Sequence, residues 1–238
     1  MDKSSSWEGE ACAALPMGCA KEACLRRVLF VIWSFSCGGG AERVLSHLIT
    51  GLAKRGEYDL SLQEIVHFDR FWEYLPEGVH VLPPIVDEAP CKGLARAARG
   101  MKRRIIDLFP YSVSRFANDA SKYDVVVAFN YQLPSFFLKK YSKTISWAHG
   151  SMENLATEPR KRRLQWKAYA HADRIVAITE RTRRSILDLF PEFEQKTSVI
   201  YNGFDFGKIF DLSKEDLALS LQQLAFLFIG RLDENKNP

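Results

Sequence analysis

Three consecutive glycines, Gly38 to Gly40, are the residues of this sequence that most directly indicate chemistry. Glycine allows backbone N–H groups to approach a ligand closely, and the positive end of a helix that begins there favours an anion. The run therefore predicts a phosphate-binding loop. A tight turn that merely requires glycine is the alternative interpretation of the same residues.

Further polar residues follow predicted strands and are expected at the same rim as the glycine loop. His149 ends one such strand beside Gly150, and a functional role there is favoured over a rim histidine bonded to backbone. The other rim candidates are Asn130, Thr179, Glu180 and Asn202. Ligands of parallel α/β sheets bind beyond the carboxyl ends of the strands, so these side chains should converge. No residues show metal-ligand spacing, and no metal is expected.

Alternating strands and helices must position these residues. An apolar run at Val28–Trp33 precedes the glycine loop, and an amphipathic helix follows it, with Val44, Leu45, Leu48, Ile49 and Leu52 on one face. Further strands are predicted at Tyr58–Phe68, Val79–Leu82, Val125–Phe129, Thr144–Ala148, Arg174–Ile178 and Ser198–Tyr201. Helices are predicted at Leu94–Phe109, Pro134–Lys140, Pro159–His171 and Thr182–Phe190. This alternation predicts an α/β, Rossmann-like, doubly wound parallel sheet.

Composition and order indicate the domain organisation. The 238 residues are 47% hydrophobic and 26% charged, which is ordinary for a soluble globular protein. We expect a poorly ordered leader at 1–24, an α/β domain at 25–204, a linker with a short helix at 205–222 and the start of a second α/β domain at 223–238. The linker occupies Asp205–Leu212, Ser213 and Asp216 cap the helix, and a new strand is predicted at Leu224–Ile229.

Cysteine content and charge narrow the class of protein further. The five cysteines include no CxxC pair, which fits a reducing compartment without a disulfide framework or a zinc site. The apolar run after Arg26-Arg27 is too short to span a bilayer, and it is interpreted as a strand rather than a signal anchor. A formal charge of +4 permits anionic partners without requiring them.

Four motifs stand in order along the chain: Gly38-Gly39-Gly40-Ala41-Glu42, Trp147-Ala148-His149-Gly150, Ile200-Tyr201-Asn202-Gly203-Phe204-Asp205, and Gly230-Arg231-Leu232 followed by Lys236-Asn237. Together they resemble the retaining glycosyltransferases of the GT-B fold, of the glycosyltransferase family 4 type. The sequence most resembles bacterial transferases that build capsular, exopolysaccharide or other envelope glycans. The matching residues extend from Arg27 to Pro238.

The resemblance implies roles for particular residues. The N-terminal domain would hold the acceptor, and the C-terminal domain would hold the nucleotide sugar. Gly39 and Gly40 would bring backbone amides to the donor diphosphate, while Arg231 and Lys236 would neutralise the leaving group in place of a metal. A histidine at the position of His149 would sit at the sugar-transfer site. The resemblance implies no cofactor, and Glu42 is expected to stabilise the helix start rather than to do chemistry.

The sequence departs from the family in one respect, because the family's paired glutamates of the second domain would lie beyond Pro238. The chain therefore resembles a fragment, a truncated gene product or one half of a split enzyme, and we expect little activity from it alone. An alternative is a non-catalytic acceptor-binding or membrane-docking subunit that needs a separate donor-domain chain. A dinucleotide-dependent oxidoreductase is disfavoured, since Arg43 occupies the third glycine position of G-x-G-x-x-G.

Two basic helices bear on localisation. Leu94–Phe109 and Pro159–His171 are each rich in lysine and arginine, and each is either a solvated surface or a patch that meets anionic lipid. The expected partners are a nucleotide-sugar donor, a glycan or lipid-linked acceptor and an anionic membrane surface, with no nucleic acid. We expect a cytoplasmic protein, peripheral at the inner face of the membrane.

Overall fold

The computed structural model describes residues 25–70, 72–88, 90, 92–110, 122–130, 132–137, 143–204 and 206–215. The chain divides into two compact units, residues 1–203 and 204–238. The leader at 1–24, the capping residue Asp216, the strand at Leu224–Ile229 and the cations Arg231 and Lys236 lie outside the described residues.

A seven-stranded parallel sheet forms the centre of the first unit, with strand order β4-β2-β1-β6-β7-β8-β9. Its strands are β1 (Arg26–Ile32), β2 (Tyr58–Glu64), β4 (His80–Val81), β6 (Val125–Phe129), β7 (Lys143–Ala148), β8 (Arg174–Ala177) and β9 (Thr197–Val199). A separate parallel pair joins β3 (Val66–His67) to β5 (Val86–Asp87). The fold is the predicted Rossmann-like α/β class.

Helices lie in several of the crossover connections that parallel pairing requires. The α-helices of the first unit are α1 (Gly40–Ala53), α2 (Gly93–Leu108), α3 (Pro159–His171) and α4 (Glu180–Leu189), and 3₁₀ helices lie at Leu133–Phe137, Glu153–Thr157 and Pro191–Lys196. In the second unit, α5 spans Phe206–Leu212.

The sheet is buried on both faces, because successive strand residues alternate between two cores. In β1, Leu29 and Val31 enter one core, which also contains Tyr169 of α3 and Ile186 of α4. The intervening residues Val28, Phe30 and Ile32 enter the other core with the apolar face of α1. The predicted amphipathic helix thus covers one face of the sheet.

Several predicted elements differ from the observed ones. The predicted strand Tyr58–Phe68 breaks after Glu64, and the following residues pair with β5, a strand that the sequence reading missed. A 3₁₀ helix ends at Phe137 within the predicted helix Pro134–Lys140. The predicted linker Asp205–Leu212 is mainly helical, since α5 begins at Phe206.

Candidate functional site

The strand order defines one topological switch point. From β1 the chain proceeds outward through β2 to β4, whereas β6 to β9 extend on the other side of β1. In doubly wound sheets the crevice beyond such a switch point is where ligands bind. The glycine loop follows β1 and the loop Asn130–Gln132 follows β6, so both lie at this crevice.

The three glycines of the loop have different backbone conformations. Gly38 has a φ of 73°, a left-handed conformation that favours glycine. Gly39 is the N-cap of α1 with extended backbone, and Gly40 is the first helical residue. A side chain on Gly40 would meet no atom within 4 Å, and the three atoms nearest to a Cβ on Gly39 all belong to the Glu42 carboxylate. Within the loop, it is thus Gly38 whose backbone conformation favours glycine.

The start of α1 is suited to an anion. Its first N–H groups have no intrahelical acceptor, and the helix dipole is positive at this end. The carboxylate of Glu42 lies over the same place, since its Oε2 would be 2.5 Å from a Cβ on Gly39. A negative side chain in the first turn is stabilising there.

His149 lies in an aromatic cluster at the carboxyl end of β7. Its ring centroid is 4.1 Å from that of Phe129 and 6.2 Å from that of Trp147. Phe129 and Trp147 are paired residues of β6 and β7, and both pack in the core that α1 covers. Three residues after His149, the backbone of Met152 is fixed, because its N donates a hydrogen bond of 3.2 Å to Ser185 Oγ.

Two buried ring nitrogens of this cluster have no partner in the part of the chain that the structure describes. Within the described residues, the buried atoms His149 Nε2 and Trp147 Nε1 make no hydrogen bond. Burial lowers the pKa of His149 to about 4 from its usual 6.5. The imidazole is therefore neutral near pH 7 and provides a hydrogen bond rather than a charge.

Asn202 is the third residue with an unpaired buried atom in the described part of the chain. Its Oδ1 has no hydrogen-bond partner there. The segment before it is fixed, because Ile200 N donates to Ala177 O at 2.9 Å and continues the pairing of β9 with β8. Asn202 therefore follows a parallel strand, as predicted.

Thr179 and Glu180 begin helix α4. The Thr179 hydroxyl accepts a hydrogen bond from Thr182 N at 3.0 Å and is the N-cap of the helix. Glu180 is exposed in the first turn. Both residues therefore have a structural role at the start of α4, and this role requires no ligand.

The loop after β6 has a strained backbone. Asn130 and Gln132 have φ values of 108° and 61°, which are uncommon for residues other than glycine. The fully buried Gln165 of α3 fixes this loop, since its Oε1 accepts from Gln132 N at 2.6 Å. Asn130 N donates to Trp147 O at 2.8 Å and joins the loop to β7.

Sequence reasoning missed two residues at this rim. Glu64 ends β2 as a buried carboxylate, and an acidic residue just before the apolar Ile65-Val66 is the signal that would have identified it. Trp147 was noted only as part of a motif, although its indole N–H is buried and unpaired in the described structure. No group of three metal-ligating side chains occurs among the described residues.

A doubly wound parallel sheet with a glycine loop at its switch point defines the class, an α/β domain of the kind whose ligands bind at this edge. The model of Glycosyltransferase Family 4 matches residues 38–208, which is most of the chain. The chain therefore belongs to glycosyltransferase family 4. The match includes the glycine loop from Gly38, His149 and Asn202.

Solved structures of Anabaena Alr3699/HepE are similar to this chain. The complex with UDP and glucose is 17% identical with a TM-score of 0.47, and the complex with UDP-glucose is 16% identical with a TM-score of 0.46. Each similarity covers 76% of this chain and 45% of the HepE chain, so this chain spans less than half of that protein's length. No curated protein matches the chain.

Proposed function

We propose that this chain provides the acceptor side and the glycine loop of a retaining glycosyltransferase. The enzyme transfers a sugar from a nucleoside-diphosphate sugar to a glycan or lipid-linked acceptor of the cell envelope. The observation that carries the proposal is Gly40, which stands at the first position of α1 with open space where a side chain would be. Glycine there has no packing reason, whereas a diphosphate oxygen at the helix start needs that space.

The proposed reaction balances without a metal. The acceptor hydroxyl oxygen attacks the anomeric carbon from the side that the diphosphate leaves, the carbon–oxygen bond to phosphate breaks, and the hydroxyl proton passes to the leaving phosphate. N–H groups at the start of α1 stabilise the charge that develops on the diphosphate. Arg231 and Lys236 are proposed to stabilise the same charge.

His149 is proposed to contact the sugar at the transfer point. A neutral ring with a free nitrogen donates or accepts one hydrogen bond, depending on its tautomer. Its pKa of about 4 makes it a poor base near pH 7, so we assign it an orienting role rather than proton abstraction. Asn130 and Asn202 are proposed as further polar contacts at the rim.

The test uses inorganic pyrophosphate, the group common to all nucleoside-diphosphate sugars. Titrated into the ¹⁵N-labelled chain, it is expected to shift the amide resonances of residues 38–42. Gly40→Ala should weaken this binding at least about tenfold, because the methyl group occupies the phosphate position. Gly51→Ala is the matched control, since it lies in the same helix and its added methyl also meets no atom within 4 Å.

Two results would overturn this assignment. Equal pyrophosphate affinity in Gly40→Ala and Gly51→Ala would show that the space at Gly40 has no role. Shifts confined to residues outside the loop would place the anion elsewhere. A non-catalytic acceptor-binding subunit, the alternative function, predicts no pyrophosphate shifts in the loop while acceptor binding persists.

The exposed apolar residues of helix α2 support an anionic membrane surface as an additional partner. Its apolar residues Leu94, Met101, Ile105 and Leu108 recur at helical spacing, and all are exposed, with Leu94 at 90%. Ile106, which is buried, packs the helix against the core of the first unit. Among the described helices, none is long and apolar enough to cross a bilayer. We propose that α2 lies in the interface of an anionic membrane.

The charges of α2 support this orientation and separate it from α3. Arg99 and Arg103 pair with Glu88, and Arg96, Lys102 and Arg104 are exposed, as Arg103 also is. In α3, two of the basic residues donate to backbone carbonyls of other elements. Arg160 Nη2 donates to Asp107 O and Leu108 O at 3.0 and 3.1 Å, which caps the end of α2, and Arg162 donates to Leu189 O.

Vesicle partition tests the membrane proposal. Lys102→Glu/Arg104→Glu should reduce binding to phosphatidylglycerol-containing vesicles at least about tenfold, at roughly 1 kcal/mol per basic residue. Arg163→Glu/Lys167→Glu, which makes the same charge change on the exposed side of α3, should have a smaller effect. Equal losses of vesicle binding in the two double variants would mean that only net charge matters. The absence of wild-type binding at low salt would refute the membrane proposal.

A further inference from the structure

Glu64 is a buried carboxylate for which the proposed reaction has no use. It ends β2 with 2% of its surface exposed. A carboxylate is costly to bury unless hydrogen bonds replace its water. Its Oε2 accepts from Phe35 N at 2.9 Å, from Ser36 N at 3.1 Å and from Ser36 Oγ at 2.9 Å. Its Oε1 contacts His67 Nδ1.

These hydrogen bonds lie just beyond the end of the strand pairing between β1 and β2. The pairing of β1 with β2 ends at Ile32 and Glu64, and the chain then turns toward the glycine loop. Val66 N still donates to Trp33 O, whereas the amides of Phe35 and Ser36 have left the sheet. One carboxylate oxygen accepts hydrogen bonds from both amides at the point where the pairing of β1 with β2 no longer supplies acceptors.

Ser36 also connects the glycine loop to a second segment, which contains Phe68 and Arg70. Its hydroxyl accepts from Phe68 N at 2.8 Å, and its carbonyl accepts from Arg70 N at 3.0 Å. Residue 36 is thereby fixed from two sides, one residue before Cys37 and two before Gly38. The direction in which the chain enters the glycine turn is therefore set here.

We propose that Glu64 is a positioning residue of the glycine loop. Its carboxylate fixes the two amides before the turn, and this fixes the path of the backbone to Gly39 and Gly40. The inference rests on the proposed function only for what the loop binds. That Glu64 holds the loop is a separate claim, which is testable without any ligand.

Cys37 provides a reporter inside the loop. It is a free thiol of intermediate exposure, next to Ser36. Its alkylation by iodoacetamide, measured on its own proteolytic peptide, reports how often the loop opens. The other cysteines are separated from it by the peptide map, so the wild-type sequence is used throughout.

The variants separate the bonding role from burial alone. Glu64→Leu removes every acceptor of the two amides and should accelerate Cys37 alkylation about tenfold or more. Glu64→Gln retains one carbonyl oxygen at the same reach and should stay within about twofold of wild type. Gln165→Leu is the matched control, because it removes a fully buried polar side chain that fixes the other loop. It should leave Cys37 unchanged.

Hydrogen exchange gives the second measurement. In Glu64→Leu the peptide that spans residues 34–40 should lose protection, while the peptides of β7 keep theirs. If Glu64→Leu does not fold, Ser36→Ala tests the same network, because it removes the hydroxyl between Glu64 and Phe68 N. It should accelerate Cys37 alkylation several-fold.

Three outcomes would overturn the inference. These are unchanged alkylation in both Glu64→Leu and Ser36→Ala, an acceleration as large in Gln165→Leu, and a uniform loss of protection across the sheet. The last outcome would mean that Glu64 only stabilises the fold. Failure of pyrophosphate binding would refute the proposed function and leave the Cys37 result valid, so the two claims can fail separately.

Discussion

The glycine loop after β1 and the histidine segment after β7 begin at the same edge of one sheet, yet their buried polar atoms differ. At the glycine loop, the Glu64 carboxylate is bonded to the backbone of Phe35 and Ser36. At the histidine segment, His149 Nε2 and Trp147 Nε1 are buried without partners in the described residues. The buried carboxylate of the first region is hydrogen-bonded, whereas these two side-chain atoms of the second region have no partner in the described structure.

We interpret this difference as one between a scaffold and a contact surface. Buried polar groups in native proteins are nearly always hydrogen-bonded, and each exception calls for an explanation. Under the proposed function, the satisfied carboxylate at the glycine loop would leave the backbone of Gly39 and Gly40 to meet the ligand. The unpaired ring nitrogens at β7 would instead be available to a ligand as side-chain groups. The loop would thus recognise through its backbone, and the histidine segment through its side chains.

The largest test of this contrast compares two substitutions by urea unfolding. Glu64→Leu strands two backbone amides in the interior and should lower the free energy of unfolding by about 3 kcal/mol. Trp147→Phe removes an unpaired N–H along with some packing area, so it should change stability by less than about 1 kcal/mol. The midpoints are compared at a common m-value.

A large loss in Trp147→Phe would contradict this prediction. It would mean that the indole N–H has a partner in the folded chain, and the contrast between the two regions would disappear. A loss of less than about 1 kcal/mol in Glu64→Leu would contradict it from the other side.

The smaller test uses the pH dependence of stability. Burial holds the pKa of His149 at about 4, below the 6.5 of an exposed histidine. Between these values the unfolded chain binds a proton that the folded chain does not, so stability falls as the pH falls from about 6.5 toward 4. The ring retains some exposure, and we therefore expect a loss of about 1–2 kcal/mol from pH 7 to pH 4.5.

The comparison variant is His149→Gln, which cannot protonate. Carboxylates titrate in the same range in both proteins, so the wild-type value minus the variant value isolates the histidine. This difference should change by about 1–2 kcal/mol over the interval. Parallel stability curves would show that His149 titrates normally, and the unpaired nitrogen would then be exposed to water.

Particular residues show how far sequence reasoning reached at the site. The run of three glycines after an apolar strand was sufficient to place a loop at the start of a helix, and Gly39 and Gly40 are found there. His149 was placed at a strand end by the same rule. Glu64 was missed because an acidic residue in a strand reads as exposed until its hydrogen-bond donors, which lie 28 and 29 positions earlier, are known.

The sequence by itself determined the parallel α/β class and the edge that carries the polar loops, because both follow from local periodicity and from where each strand ends. Tertiary structure alone decided the strand order, with its switch point between β1 and β6, because pairing joins residues far apart in the chain. It also decided which polar groups are satisfied. That depends on partners from other segments, such as Glu64 for Phe35 and Gln165 for Gln132. A polar residue looks the same in the sequence whether or not its side chain finds a hydrogen-bond partner in the fold.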